Sequence, residues 1–144
     1  MWWLILAAIS IYIGFLDVFY RKIPNNLCLS IFLICLTINN VSDVDSSFKL
    51  IFIVFIFGFY FFILGVVSAG DIKLLCVFLI AIDSQYYVLT FMLIATIGGA
   101  LGLIEVLRIK YIAKVATENK SSFPYGVPIC IGCLFSVAMS MNLI

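Results

Sequence analysis

Apolar residues run along this chain in six blocks, at positions 2–19, 26–38, 48–67, 72–82, 86–107 and 127–143, with short polar interruptions between them. A helix that spans a bilayer needs about 20 mostly apolar residues. The pattern therefore predicts six membrane helices, two of them short. The block at 26–38 is long enough only if neighbours tilt it or it extends into the interface. The block at 72–82 is about half a span. It reads as a helix that starts inside the membrane from an unwound turn, which is tolerated where backbone lines a protein cavity.

The interruptions carry turn chemistry. In Arg21-Lys-Ile-Pro-Asn25, Pro24 cannot continue a helix and disfavours helical geometry at Ile23. Asn25 or Asn26 is then placed to cap the second helix. Residues 39–47 form a polar loop, Ser68-Ala-Gly-Asp71 breaks the third block from the fourth, and residues 83–85 form another loop. The longest polar segment is 108–124.

Composition supports a chain that lives in lipid. Of its 144 residues, 66% are hydrophobic and only 10% are charged, and the mean hydropathy is +1.31. A soluble fold of this length cannot hide so much apolar surface. The expected architecture is one all-α, multi-pass membrane domain over residues 1–144, with the lipid bilayer as its solvent. The net charge of +1, without a basic arm or stripe, excludes nucleic acid as a partner. Six spans with the N-terminus outside put Arg21, Lys22, Lys73, Arg108, Lys110, Lys114 and Lys120 on the cytoplasmic side, leaving only Lys49 opposite. That is the positive-inside pattern, and it requires residues 72–82 to cross.

This topology brings two acids to the same depth. Asp17 ends the first block and Asp71 opens the fourth, so both fall at the cytoplasmic membrane edge. An ionisable residue there is costly and points to function. Two carboxylates a few ångströms apart share one proton. The ionised partner can take a proton from water while the protonated one polarises a scissile carbonyl. Gly70, before Asp71, leaves room for a tight turn and for a substrate strand. The plainer reading pairs Asp17 with Arg21 and Asp71 with Lys73.

With no histidine in the chain, His-Glu-x-x-His metalloproteases and serine–histidine dyads are excluded. A serine–lysine pair of Ser68 and Lys73 has a spacing that suits no regular face. Cys130 and Cys133 sit in an apolar run without a second ligand pair, so all five cysteines read as packing residues. No metal or organic cofactor is expected.

The motifs resemble those of the type IV prepilin leader peptidases. These are membrane aspartyl proteases with a Gly-x-Gly-Asp motif, and the likeness extends over nearly the whole chain. It rests on Asp17 followed by Arg21-Lys-Ile-Pro-Asn25, on Ala69-Gly-Asp-Ile-Lys-Leu-Leu75, and on Phe123-Pro-Tyr-Gly-Val127. The resemblance implies catalysis by Asp17 and Asp71. Arg21, Lys22, Pro24, Asn25, Ser68, Gly70, Lys73, Pro124, Tyr125 and Gly126 are the supporting motif residues. It implies a prepilin or pseudopilin substrate, cleaved between its basic leader and its hydrophobic helix, in the cytoplasmic membrane. The short link between the first two spans is similar to the small subgroup serving Flp pili and implies no N-methyltransferase activity. One residue departs from the pattern: Ser68 stands where the family has its first glycine, and a positive φ there would strain a serine. The rival readings are a peptidase disabled at Ser68, and a non-enzymatic membrane component such as a proton-coupled transporter or an assembly subunit.

Overall fold

The computed structural model describes residues 2–20, 24–42, 44–65, 67–112 and 125–141, without the side chains at 105 and 108–112. Arg21, Lys22 and Pro124 lie outside the described residues. Within them the chain is helical and holds no strand. It forms α1 (Trp2–Tyr20), α2 (Asn25–Ser42), α3 (Phe48–Ile63), α4 (Ala69–Leu79), α5 (Tyr87–Ile112) and α6 (Gly126–Ser140), with a 3₁₀ turn at Ser84–Tyr86 before α5. Among the described residues, three helices are long and apolar enough to cross a bilayer: Trp2–Tyr20, Asn25–Ser42 and Ser84–Ile104. The chain is a helical membrane protein.

Several boundaries differ from those expected, each for a local reason. Helix α2 continues past position 38 to Ser42. The Asn39 side chain does not compete with its own helix; its amide donates to the Ile80 carbonyl at 2.7 Å, the Val44 carbonyl at 3.2 Å and the Ser46 hydroxyl at 3.0 Å. Helix α3 stops at Ile63 because Gly65, just beyond it, takes φ 73°, the left-handed conformation in which a glycine ends a helix. Helix α4 begins at Ala69, three residues before the expected start, because Ser68 caps it.

Helix α4 governs the interior. Its 11 residues reach only about 16 Å at 1.5 Å per residue, about half the hydrocarbon thickness. Both of its ends therefore need partners within the protein, since an unpaired backbone group in a dry interior is expensive. At the C-terminal end, the Leu79 carbonyl accepts from the Tyr87 hydroxyl at 3.1 Å and the Ile80 carbonyl from Asn39. The Tyr87 oxygen in turn accepts from the Ser47 N–H at 3.2 Å. Bonds from Ser84 N–H to the Asp45 carbonyl and from Asp83 N–H to the Ser140 hydroxyl close the same region.

These bonds gather the ends of α2, α4 and α6 with the starts of α3 and α5, so successive helices alternate in direction. Helix α6 packs on α1, α4 and α5, and α2 packs on α1 and α4. Leu6, Ile13, Ile31, Cys35, Leu74, Phe78, Cys133 and Val137 are fully buried between them. At Gly132 a β-carbon would lie 2.8 Å from Ile94 Cγ1 and 3.3 Å from its backbone nitrogen, so the glycine is what lets α5 and α6 approach. Polar side chains within the helices bond back to carbonyls one turn earlier: Ser10 to Leu6, Thr90 to Tyr86, Ser136 to Gly132. This keeps hydroxyls satisfied in an apolar surround. Helix α3 packs mainly on α4, buries no residue fully and exposes Phe52, Phe57 and Phe59. Such a surface suits acyl chains as solvent.

Replacing Asn39 with leucine keeps the bulk and leaves the Ile80 carbonyl without its donor. The expected loss is about 1–3 kcal/mol in unfolding titrations in mixed micelles. Asn40→Leu, at an exposed neighbour, should stay within about 0.5 kcal/mol of the parent. Equal losses would contradict the role given to Asn39.

Candidate active site

The buried stripe of α1 runs through Leu6, Ser10, Ile13 and Asp17. Steps of three and four residues keep one helix face toward the core, so Asp17 continues an inward face and does not point at lipid. Helix α4 buries Asp71, Ile72, Leu74, Phe78 and Leu79, and Asp71 stands at the N-terminal end of that face. Asp17 is 6% exposed and Asp71 3%. Both helices pack on α6. Cys130, one turn into α6, is buried.

Each carboxyl is held by a helix N-terminus. The Gly126 N–H, at the start of α6, donates to Asp17 Oδ2 at 2.8 Å in a buried bond that links positions 109 apart. The unpaired N–H groups and the dipole of a helix start form a site for an anion. Glycine is required there, because a β-carbon on residue 126 would lie 2.6 Å from Asp17 Oδ2 and 2.8 Å from its Cγ. Tyr125, in the cap position of α6, is half-buried and lines a cavity against Gly98, Gly99 and Gly102 of α5.

Asp71 takes part in a capping box. Its backbone N–H donates to the Ser68 hydroxyl, and its Oδ2 accepts from the Ser68 N–H, both at 3.3 Å. The reciprocal pair satisfies two donors of the helix start. Ser68 has φ −80° and ψ 151°, an extended backbone that any residue adopts. The serine is therefore unstrained, and it supplies an oxygen that glycine lacks. Gly70 lies in the first turn of α4, in helical conformation and not in a tight turn.

Of the remaining motif residues, Pro24, Asn25 and Lys73 are among those described. Pro24 precedes α2, and its carbonyl accepts from Leu27 and Cys28; Pro24 and Asn25 are both exposed. Lys73 points outward and is exposed, while the Asp71 carboxylate is engaged by Ser68. The expected partner of Asp17 on its own helix, Arg21, is outside the described residues.

A model of the type IV leader peptidase family matches residues 4–103, a span that holds both aspartates and ends before α6. No curated protein and no solved structure matches the chain.

A methyl group at position 126 must displace the Asp17 carboxylate or the start of α6. Gly126→Ala is expected to lower stability by about 1–3 kcal/mol, the usual cost of overpacking. Gly99→Ala, where a β-carbon meets open space, should be neutral or mildly stabilising; indistinguishable unfolding of the two would argue against the close contact. At the α4 cap, Ser68→Ala should cost about 1 kcal/mol and Ser68→Gly only a few tenths, read in the same titrations.

Proposed function

The chain belongs to the type IV leader peptidase family, and on that premise we propose that it is an aspartyl endopeptidase with Asp17 and Asp71 as its catalytic pair. Leader peptidase activity toward prepilin-type substrates comes with the family. The pairing of these two carboxylates is the finer reading. The observation that carries it is the burial of both on helices that pack on α6, each engaged by a backbone N–H at a helix start.

The chemistry follows from a shared proton. The ionised carboxylate of the pair takes a proton from water as the water oxygen bonds to the scissile carbonyl carbon. The protonated partner gives its proton to the carbonyl oxygen, forming a neutral gem-diol. Collapse of the diol breaks the C–N bond: the carboxyl that took the water's proton gives it to the departing amine, and a diol hydroxyl returns its proton to the other carboxylate, which restores the shared-proton pair. The protonation states belong to the pair and not to either residue. The low-dielectric surround strengthens each of these interactions. Helix starts at both carboxyls hold them against recoil as charge moves between them.

In the proposed topology the domain spans residues 1–144 and crosses the cytoplasmic membrane six times, with its N-terminus outside. The alternating helix directions support it, as does the charge pattern of the sequence, which in this topology assigns seven of the eight basic residues to the cytoplasmic side. That side is where a basic leader, held in the cytoplasm, meets the start of a prepilin's hydrophobic helix. The link between α1 and α2 is a few residues long, which supports a peptidase of the small Flp-pilus type without N-methyltransferase activity. The unstrained capping box at Ser68 favours a working enzyme over one disabled at that position.

Cleavage of a co-expressed Flp-type prepilin, read by mass spectrometry, tests this reading. The parent chain should release the leader and leave the new amino group unmethylated. Asp17→Asn and Asp71→Asn keep size and remove titration, and each should lower the rate by at least about 100-fold, in line with loss of a general acid or base. Cleavage that persists in either variant, in cells lacking their own peptidase, would refute the dyad.

A further inference from the structure

A groove of about 370 Å³ opens between α3, α4 and α5 and reaches down to α6. Its walls are Phe57 and Phe61 of α3, Leu75 of α4, Phe91 of α5 and Ile129 of α6, and the only polar side chain among its lining residues is Asp71. Along α3 the lining extends from Phe61 back to Ile53, about 12 Å at the helical rise. The groove therefore starts at one of the two aspartates and runs two turns into the apolar layer.

Its construction leaves it open sideways. Helix α3 packs mainly on α4, at Gly58, where a β-carbon would lie 2.8 Å from Ile72 Cγ2. Ile72 is the residue after Asp71, so the contact that carries α3 also borders the site. On the α5 side of the gap, Phe57 and Phe91 both remain exposed. The volume falls within the range of ligand pockets, about 300–1,000 Å³. It suits the side chains along one face of a helix.

We infer that this groove receives the apolar helix of the substrate, which enters sideways from the lipid between α3 and α5 with its cleavage site at Asp71. The inference rests on the peptidase reading above and adds a route and a binding surface to it. A prepilin-type substrate joins a polar leader to a continuous apolar helix, and the groove runs from the position of Asp71 along a continuous apolar wall. A second groove of about 380 Å³ lies between α1 and α6, lined by Ser10, Gly14, Phe15, Val18 and Cys130 among others. Neither aspartate is among its lining residues.

Site-directed photocrosslinking separates the two. A benzophenone amino acid replaces Phe57 or Phe91 in the first groove, Phe15 in the second, and Phe59 on the exposed face of α3. The bait is an intact, tagged Flp-type prepilin in the same membranes, with Asp71→Asn added to prevent turnover. Each substituted chain is also assayed with Asp71 present, and retained cleavage shows that it is folded. Adducts at least tenfold stronger from positions 57 and 91 than from 15 and 59 are expected. Cleavage together with adducts mainly from position 15, or equal from all four, overturns the groove and leaves the peptidase reading intact. An absence of cleavage by the unsubstituted chain refutes the peptidase reading itself, and the groove's assignment falls with it.

Discussion

The bond from Gly126 N–H to Asp17 Oδ2 is the contact on which the geometry of this protein turns. It joins the last helix to the first and does so at a carboxylate, in a place where lipid surrounds the bundle and water is scarce. A buried carboxylate without a donor would be costly. Here the start of α6 meets that need with an N–H and an aligned dipole. The same contact admits no side chain at position 126, which explains why a glycine follows Tyr125. Because α6 also packs on α4, fixing Asp17 to α6 fixes it relative to Asp71.

The second constraint is the shortness of α4. A helix of 11 residues leaves its termini inside the protein, so each end must be satisfied by its neighbours. Ser68 does this at the start and Asn39 with Tyr87 at the finish. The helix is thereby held at a fixed depth from both sides, and Asp71 with it. Helix α3, by contrast, is anchored on one side only and faces lipid elsewhere. The rigid part of the bundle carries the carboxyls, and the sparsely packed part borders the groove beside them.

Much of this was legible in the order of residues. Each of the six apolar blocks overlaps a helix among the described residues, and the two aspartates stood out from the sequence as acids at the edges of apolar blocks before their burial was seen. Other parts were written there but under a different heading. Ser68 followed three residues later by Asp71 is a capping-box spacing; read as a departure from a glycine motif, it suggested strain, while its φ of −80° shows none. Gly65 likewise carries a helix-stop signal that the apolar run through position 67 obscures. The partners of Asn39 were out of reach, since they depend on a carbonyl 41 positions away exposed only because α4 ends early.

The central claim is that two carboxyls act as one proton-sharing unit. The pH dependence of cleavage by the purified protein, with a prepilin substrate in detergent or liposomes, tests it most directly. A proton-sharing pair gives a bell-shaped rate profile, falling on the acid side as both carboxyls become protonated and on the alkaline side as the shared proton is lost. A profile governed by a single ionisation, or one flat through the range where carboxyls titrate, would contradict the account.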